Sequence, residues 1–314
     1  MASRFLFRVL ISLLLGVILS SSGKAADRCH EVRFSDVGWT DITANTALAR
    51  VLLDGLGYQT KSMQLSVPVT YVSLKNKDVD VFLGNWMPTM AADIQPYQKD
   101  GSVETVGKIL ESARYTLAVP RYVAQAGVKS VSDLFRFKDR FKSKIYAVEP
   151  GNDGNRLIQK MISDGKLSLQ SWKLVESSEQ AMLMEVKRAI QHQDWVVFLG
   201  WEPHPMNRKY DLVYLNGADE YFGPHQGRSH VFINTRRNYA QECTQVTQLL
   251  KNLKFSLEME NTLMAWILDE GMEPKAAAMK WIKQNPHQLT QWLSGVQARD
   301  GSDGFWAVKK FYHL

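Results

Sequence analysis

The sequence predicts an α/β protein of two lobes, with mixed, mostly parallel sheets flanked by helices and two crossings of the chain between the lobes. Three observations support this. Strand and helix patterns alternate in two consecutive sets, each too small for a whole dinucleotide-binding enzyme. A phrase recurs, Val-Phe-Leu-Gly-Asn-Trp-Met-Pro at 81–88 and Val-Phe-Leu-Gly-Trp-Glu-Pro at 197–203. The chain of 314 residues also suits two domains of ordinary size.

At the start of the chain, Arg4 and Arg8 precede an apolar run over 9–19, and Ser, Gly, Lys and Ala follow to Ala26. A basic stretch, a short apolar run and a small-residue zone make an export signal over 1–26, cleaved after Ala25 in preference to Ala26. The run is shorter than the roughly 20 residues of a membrane span, so release is expected rather than anchoring. Cys29 comes after Asp27 and Arg28, a context that argues against a lipid-anchored form. Of the net charge of +6, three charges belong to Arg4, Arg8 and Lys24, and the remaining mild excess gives no reason to invoke nucleic acid.

The only two cysteines are Cys29 and Cys243. In an oxidising compartment an isolated pair is most simply one disulfide, with two buried thiols as the alternative. Closing so long a loop contributes on the order of 4 kcal/mol in the loop-entropy model. A bond between them would place the start of the chain and its last quarter in one lobe.

The elements follow in order. A strand ends over 33–36, and 42–56 has helical spacing with Asp41 in N-cap position and Gly55 and Gly57 as stops. Strands are expected over 63–67 and over 79–83, the latter apolar except for Asp80. The second set has strands over 144–148, 172–175 and 195–199 with helices over 156–163 and 179–190. A strand over 231–233 leads back, and helices are expected over 239–249, 257–268, 275–282 and 289–293, with Pro274 and Pro286 as boundaries. The tail from Gly295 reads equally as docked or frayed. The resulting division is 27–117 plus 229–314 for lobe one and 118–228 for lobe two, with hinge crossings near 115–120 and 223–232.

Nine Trp occur, and their placement matters more than their number. Trp266, Trp281 and Trp292 fall in amphipathic helical patterns, and Trp172 and Trp195 start strands, so all five are assigned to packing. Trp39, Trp86 and Trp201 lie instead in turns just past strands, where open α/β sheets place their ligands. Facing aromatic rings suit a methylated ammonium, which donates no hydrogen bond and is attracted by the negative ring faces. Each ring supplies roughly 0.5 to 2 kcal/mol, so three or four account for much of the roughly 8 kcal/mol of micromolar binding. Asp41, two residues from Trp39, would add Coulomb attraction unless it serves only as a cap. Asn152 and Asn155 sit in a Gly- and Asn-rich turn before a helix, where either could be a turn former or reach a ligand oxygen.

Residues 34–41 (Phe-Ser-Asp-Val-Gly-Trp-Thr-Asp), Gly84-Asn85-Trp86-Met87-Pro88, Arg114-Tyr115, Gly151-Asn152-Asp153-Gly154-Asn155 and Gly200-Trp201-Glu202-Pro203-His204 resemble the periplasmic binding proteins for choline and glycine betaine. The resemblance runs over essentially the whole mature chain and is strongest to the choline-binding members. It implies the periplasmic-binding-protein fold, a periplasmic location, and an ABC importer's transmembrane permease as partner. It also implies choline as ligand, with acetylcholine or betaine bound more weakly, in a cage of Trp39, Trp86, Trp201 and Tyr115. Asp41 would be the acidic partner and Asn152 the amide that reads the ligand hydroxyl. A disulfide between Cys29 and Cys243 fits the same resemblance, and a monomer is expected.

An enzyme is the main competing class. The chain has no Gly-x-Ser-x-Gly elbow, His-Glu-x-x-His, P-loop or Gly-x-Gly-x-x-Gly after a strand, so no cofactor and no catalysis are expected. Its seven His are dispersed, with only His225 and His230 near one another at the predicted hinge, which gives a metal site little support. A periplasmic sensor on the same fold stays open as a third reading.

Overall fold

In the computed structural model, which describes residues 29–314, nine strands are hydrogen-bonded into one curled mixed sheet. The predicted export signal lies outside the described residues. The strands are β1 (Glu31–Asp36), β2 (Gln59–Gln64), β3 (Val81–Met87), β4 (Val103–Pro120), β5 (Lys144–Tyr146), β6 (Lys173–Val175), β7 (Phe198–Glu202), β8 (Leu212–Tyr214) and β9 (Arg228–Arg236). Their order is β2-β1-β3-β9-β4-β7-β5-β6, with β8 also on β4. The longer helices are α1 (Thr40–Gly55), α2 (Val67–Asn76), α3 (Ala91–Lys99), α4 (Asp153–Asp164), α5 (Glu179–Gln191), α6 (Thr244–Asn252), α7 (Leu257–Leu268), α8 (Pro274–Gln284) and α9 (Gly304–Tyr312).

Among the described strands, parallel ladders form two groups, β2-β1-β3 and β6-β5-β7, as expected for strands linked through helices. Between the groups run the antiparallel strands β4 and β9. The first part of β4 pairs with β9 as far as Arg114, and from Arg114 onward it pairs with β7 and then β8. One strand thus carries the chain from the first group to the second, through the stretch where the first crossing was expected. The return enters β9 through Pro224–Gly227, where His225 and Gln226 take φ of 55° and 58°. Gly227 passes directly over Tyr115: a Cβ there would lie 2.0 Å from the Tyr115 carbonyl oxygen, so only glycine fits.

Asp80, the polar exception in an apolar stretch, ties the first parallel group to β9. Its carboxylate accepts from the Arg33 N–H at 2.9 Å, from the Arg33 guanidinium and from Arg236 Nε at 2.7 Å, which links β1, the start of β3 and β9. Helix α1 is buried along nearly its whole length against the sheet and the C-terminal helices, with Ile42, Leu48, Leu52 and Leu53 in the core.

Several expected boundaries move. The second strand is Gln59–Gln64 rather than 63–67, because Val67-Pro68 already opens α2, where a proline in the first turn costs no hydrogen bond. The strand expected over 195–199 begins at Phe198 and runs to Glu202, and α4 starts at Asp153, earlier than expected. The single helix expected over 239–249 is two, Tyr239–Glu242 and α6, broken at Cys243 with φ −125° and ψ 63°. The tail is docked: α9 buries Val308, and the Tyr312 hydroxyl donates to the Val51 carbonyl of α1 at 2.9 Å.

Cys29 and Cys243 are joined in a disulfide across 214 residues of sequence, which clamps the entry to β1 against the chain leaving β9. Alkylation of the oxidised protein without reductant should therefore add no label. The Cys29→Ser/Cys243→Ser variant should lose about 2–4 kcal/mol of stability. Two labelled thiols, or a variant that unfolds at the wild-type denaturant midpoint, would contradict the bond's role.

Candidate functional site

The repeated phrases end in the cleft. Strands β1, β3 and β7 point their C-terminal ends at one small cavity, lined by Trp39, Asp41, Trp86, Tyr115, Val148, Asn152 and Trp201. All six residues singled out in the sequence are thus brought around one space. They come from segments on both sides of the β4 crossing, yet each is buried, between 1% exposed for Asp41 and 7% for Trp39.

Local structure explains each position. After β1, Gly38 turns the chain at φ 83° while Asp36 Oδ1 accepts the Gly38 N–H at 2.8 Å, and Trp39 becomes the N-cap of α1. Asp41 is therefore not the cap. It lies inside the first turn, where a negative charge meets the positive end of the helix dipole. Trp86 closes β3 and its indole N–H donates to Asp41 Oδ2 at 3.2 Å. Tyr115 on β4 stands directly opposite Trp201 on β7, which puts both rings on one face of the sheet. Asn152 caps α4, accepting the Asn155 N–H at 3.1 Å, and the same oxygen accepts the Tyr115 hydroxyl at 2.9 Å. Asn155 does not line the cavity; its side-chain NH2 ties the turn, donating to Val148 O, Glu149 O and Glu176.

The rings are braced from behind. Trp86 and Tyr115 have centroids 5.7 Å apart at 54°, Phe222 meets Tyr115 edge-on at 5.8 Å, and His204 meets Trp201 edge-on at 4.8 Å. The Trp39 N–H donates across the cleft to Glu149 Oε1 at 2.7 Å. Val148, Glu149, Phe222 and the pair Glu179 and His204 were not selected from sequence. His204 stands in the quoted Gly-Trp-Glu-Pro-His motif, which was the one available signal among them.

Burial dominates the electrostatics. It pushes the Asp41 carboxyl up to about 8, with the nearby Glu179 charge adding to the shift, and its Oδ1 has no hydrogen-bond partner among the described residues. Glu260, reached by the Asn45 amide at 3.1 Å, is raised by burial and by Asp41 behind it. Burial likewise raises Glu149, and Asp153 to about 7. Among the described residues no cationic side chain lines the cavity. Arg156 is held by Asp93 through two contacts of 2.7 Å, and Arg114 by Glu202 at 3.4 Å while it stacks on Tyr214.

Residues 30–284 match the family described as the substrate-binding domain of ABC-type glycine betaine transport systems. The chain belongs to this family. As one of these substrate-binding domains it is the extracytoplasmic receptor of an ABC importer. Among solved structures, an ABC-transporter choline-binding protein in complex with choline is 55% identical, with a TM-score of 0.90 over 91% of this chain and 99% of that one. The unliganded, semi-closed form of an ABC-transporter choline-binding protein gives 0.85 at 55% identity, over 91% and 100%. The lactococcal OpuAC bound to glycine betaine gives 0.76 at 26% identity, over 83% and 98%. The glycine betaine/carnitine transport binding protein of Listeria monocytogenes is 30% identical over 46% of this chain and 47% of its own length. The solved neighbours are two-lobed binding proteins. Among the described residues no helix is long and apolar enough to cross a membrane.

The raised Asp41 carboxyl sets a pH dependence. The unfolded chain ionises it near 4, and the folded protein only near 8, so the folded state holds an extra proton between these values and stability falls as pH rises through that window. Without ligand, the wild type should lose stability relative to Asp41→Asn between about pH 5 and 8, by at most about 1.4 kcal/mol per unit. Denaturant titrations at several pH values that run parallel for the two proteins would place that proton elsewhere.

Proposed function

We propose that the protein captures choline between its lobes in the periplasm and delivers it to the permease of an ABC importer. The observation that carries this reading is the lining: three indoles, one phenol and a carboxyl group with an unpartnered oxygen face one cavity, with no cationic side chain among them. In this reading Trp39, Trp86, Trp201 and Tyr115 hold the trimethylammonium by cation–π attraction and methyl contact. Asp41 supplies the counter-charge, and the bound cation drives off its proton. Asn152 reads the hydroxyl end. The choline complex of a solved protein 55% identical to this chain supports the choice of ligand.

Capture without chemistry is the role assigned to the site, and the receptor acts as a monomer. Residues 27–117 with 229–314 form one body and 118–228 the other, closing about the β4 and β9 crossings and so favouring the closed arrangement when ligand bridges them. Betaine shares the ammonium head but ends in a carboxylate, which Asp41 repels and no lining cation receives. Acetylcholine keeps the head and loses the hydroxyl donor. Both are bound more weakly than choline.

Calorimetric titration of the mature protein should give choline a Kd at least about tenfold below that of glycine betaine, equivalent to roughly 1.4 kcal/mol. Asp41→Asn should weaken choline and narrow the gap, while Trp86→Ala should weaken both ligands together. Tighter betaine than choline binding, or an unchanged ratio in folded Asp41→Asn, would overturn the assignment.

A further inference from the structure

Helix α1, which carries Asp41 and begins beside Trp39, has no side-chain cap of its own, since the residue at its N-cap is a tryptophan that offers only a donor. Its first free backbone N–H, that of Thr40, donates instead to Glu179 Oε2 at 2.9 Å, and the Thr40 hydroxyl donates to Glu179 Oε1 at 2.8 Å. Glu179 belongs to the other side of the cleft, in the first turn of α5, where Ser178 has already capped that helix through the Ala181 N–H. Behind it stands His204. The His204 Nδ1 accepts the Met206 N–H at 3.0 Å, so the proton is on Nε2, which donates to Glu179 Oε1 at 3.0 Å. Thr40, Glu179 and His204 are 3%, 2% and 1% exposed.

We infer that Glu179, held by His204, is a positioning residue that caps α1 across the cleft and sets how long the lobes stay closed on the ligand. The inference rests on the capture role proposed above. Glu179 does not line the cavity. It acts through Thr40, whose sequence neighbours Trp39 and Asp41 both line it, while His204 braces Trp201 from the opposite wall. Four of its features point the same way. The carboxylate has donors from both lobes, it faces the positive end of the α1 dipole, it is sealed from water, and opening the cleft must strip it of the Thr40 contacts and leave α1 uncapped. A residue that only stabilised one lobe would not need its partners divided between two.

The test uses the mature protein with Glu179→Leu, which keeps much of the bulk but removes both acceptor oxygens that Thr40 uses, and Thr40→Val, which removes the hydroxyl from the opposite lobe. Stopped-flow Trp fluorescence at pH 8.5 should show choline leaving at least tenfold faster from Glu179→Leu and measurably faster from Thr40→Val. Association rates should stay within about threefold, and the choline-to-betaine preference should not narrow, unlike that of Asp41→Asn, because losing the Glu179 charge leaves Asp41 more readily ionised. Dissociation at the wild-type rate from both folded variants, or a ratio that shifts as in Asp41→Asn, would overturn the proposal. Hydrogen exchange at the Thr40 amide separates this from the ligand assignment. With whichever ligand calorimetry shows to be bound, choline or not, that amide should be protected in the saturated wild type and exchange at least tenfold faster in saturated Glu179→Leu. Equal exchange in the two proteins would remove the cap itself.

Discussion

A carboxyl group with one unpartnered oxygen, sealed into an aromatic wall, is costly to keep charged, and the cleft is organised around that cost. Asp41 has the α1 dipole and one indole N–H in its favour, and against it stand burial, Glu179 and the second buried carboxyl of Glu260. Arginine would relieve the strain most simply, yet both nearby candidates are engaged elsewhere, Arg156 with Asp93 and Arg114 with Glu202. In the absence of ligand the group keeps its proton up to about pH 8. A cation that needs no hydrogen bond and fits between flat rings completes the site, and this couples ligand charge to the electrostatics of the whole cleft.

The fold lets residues distant in sequence meet that carboxyl. Two parallel groups end their strands at the cleft, and the antiparallel pair β4 and β9 joins them, so the lobes share a continuous hydrogen-bonded spine rather than a loose linker. Tyr115 sits on the spine where β4 changes partner from β9 to β7. The return crossing passes so close to Tyr115 that only Gly227 fits there. The ring is therefore positioned by both crossings at once, and a change at either reaches the cavity through one residue.

Much of this was legible in the sequence because it depends on local pattern. Trp39, Trp86 and Trp201 stood out as aromatics in turns after apolar strands, and parallel α/β sheets direct such turns to one edge. Tyr115 entered through a resemblance, and Asn152 through it and through a turn signal shared with Asn155; neither carries a periodic signal, since one lies inside a long strand and the other reads equally as a helix cap, which it also is. The contacts that close the cleft left no trace. Trp39 with Glu149, Thr40 with Glu179 and Arg156 with Asp93 each join segments that are far apart in sequence and without shared spacing. The edge strand β2 was misplaced for a related reason: Gln59, Thr60 and Lys61 make it polar, while the apolar residues after it belong to a helix opened by Pro68. The break at Cys243 falls in a stretch with no proline or glycine to mark it, so the local pattern reads as one helix.

The central claim is that charge, and not only shape, is recognised in this cavity. Its most direct test is calorimetric titration of the mature protein at pH 8.5 with choline and with its uncharged carbon analogue, 3,3-dimethylbutan-1-ol, which has the same shape and hydroxyl. The account predicts choline binding with the analogue weaker by at least about 100-fold, roughly 2.8 kcal/mol, the share owed to the ring faces and Asp41. Equal affinity for the two compounds would mean that the cavity selects by apolar fit alone, and would contradict it.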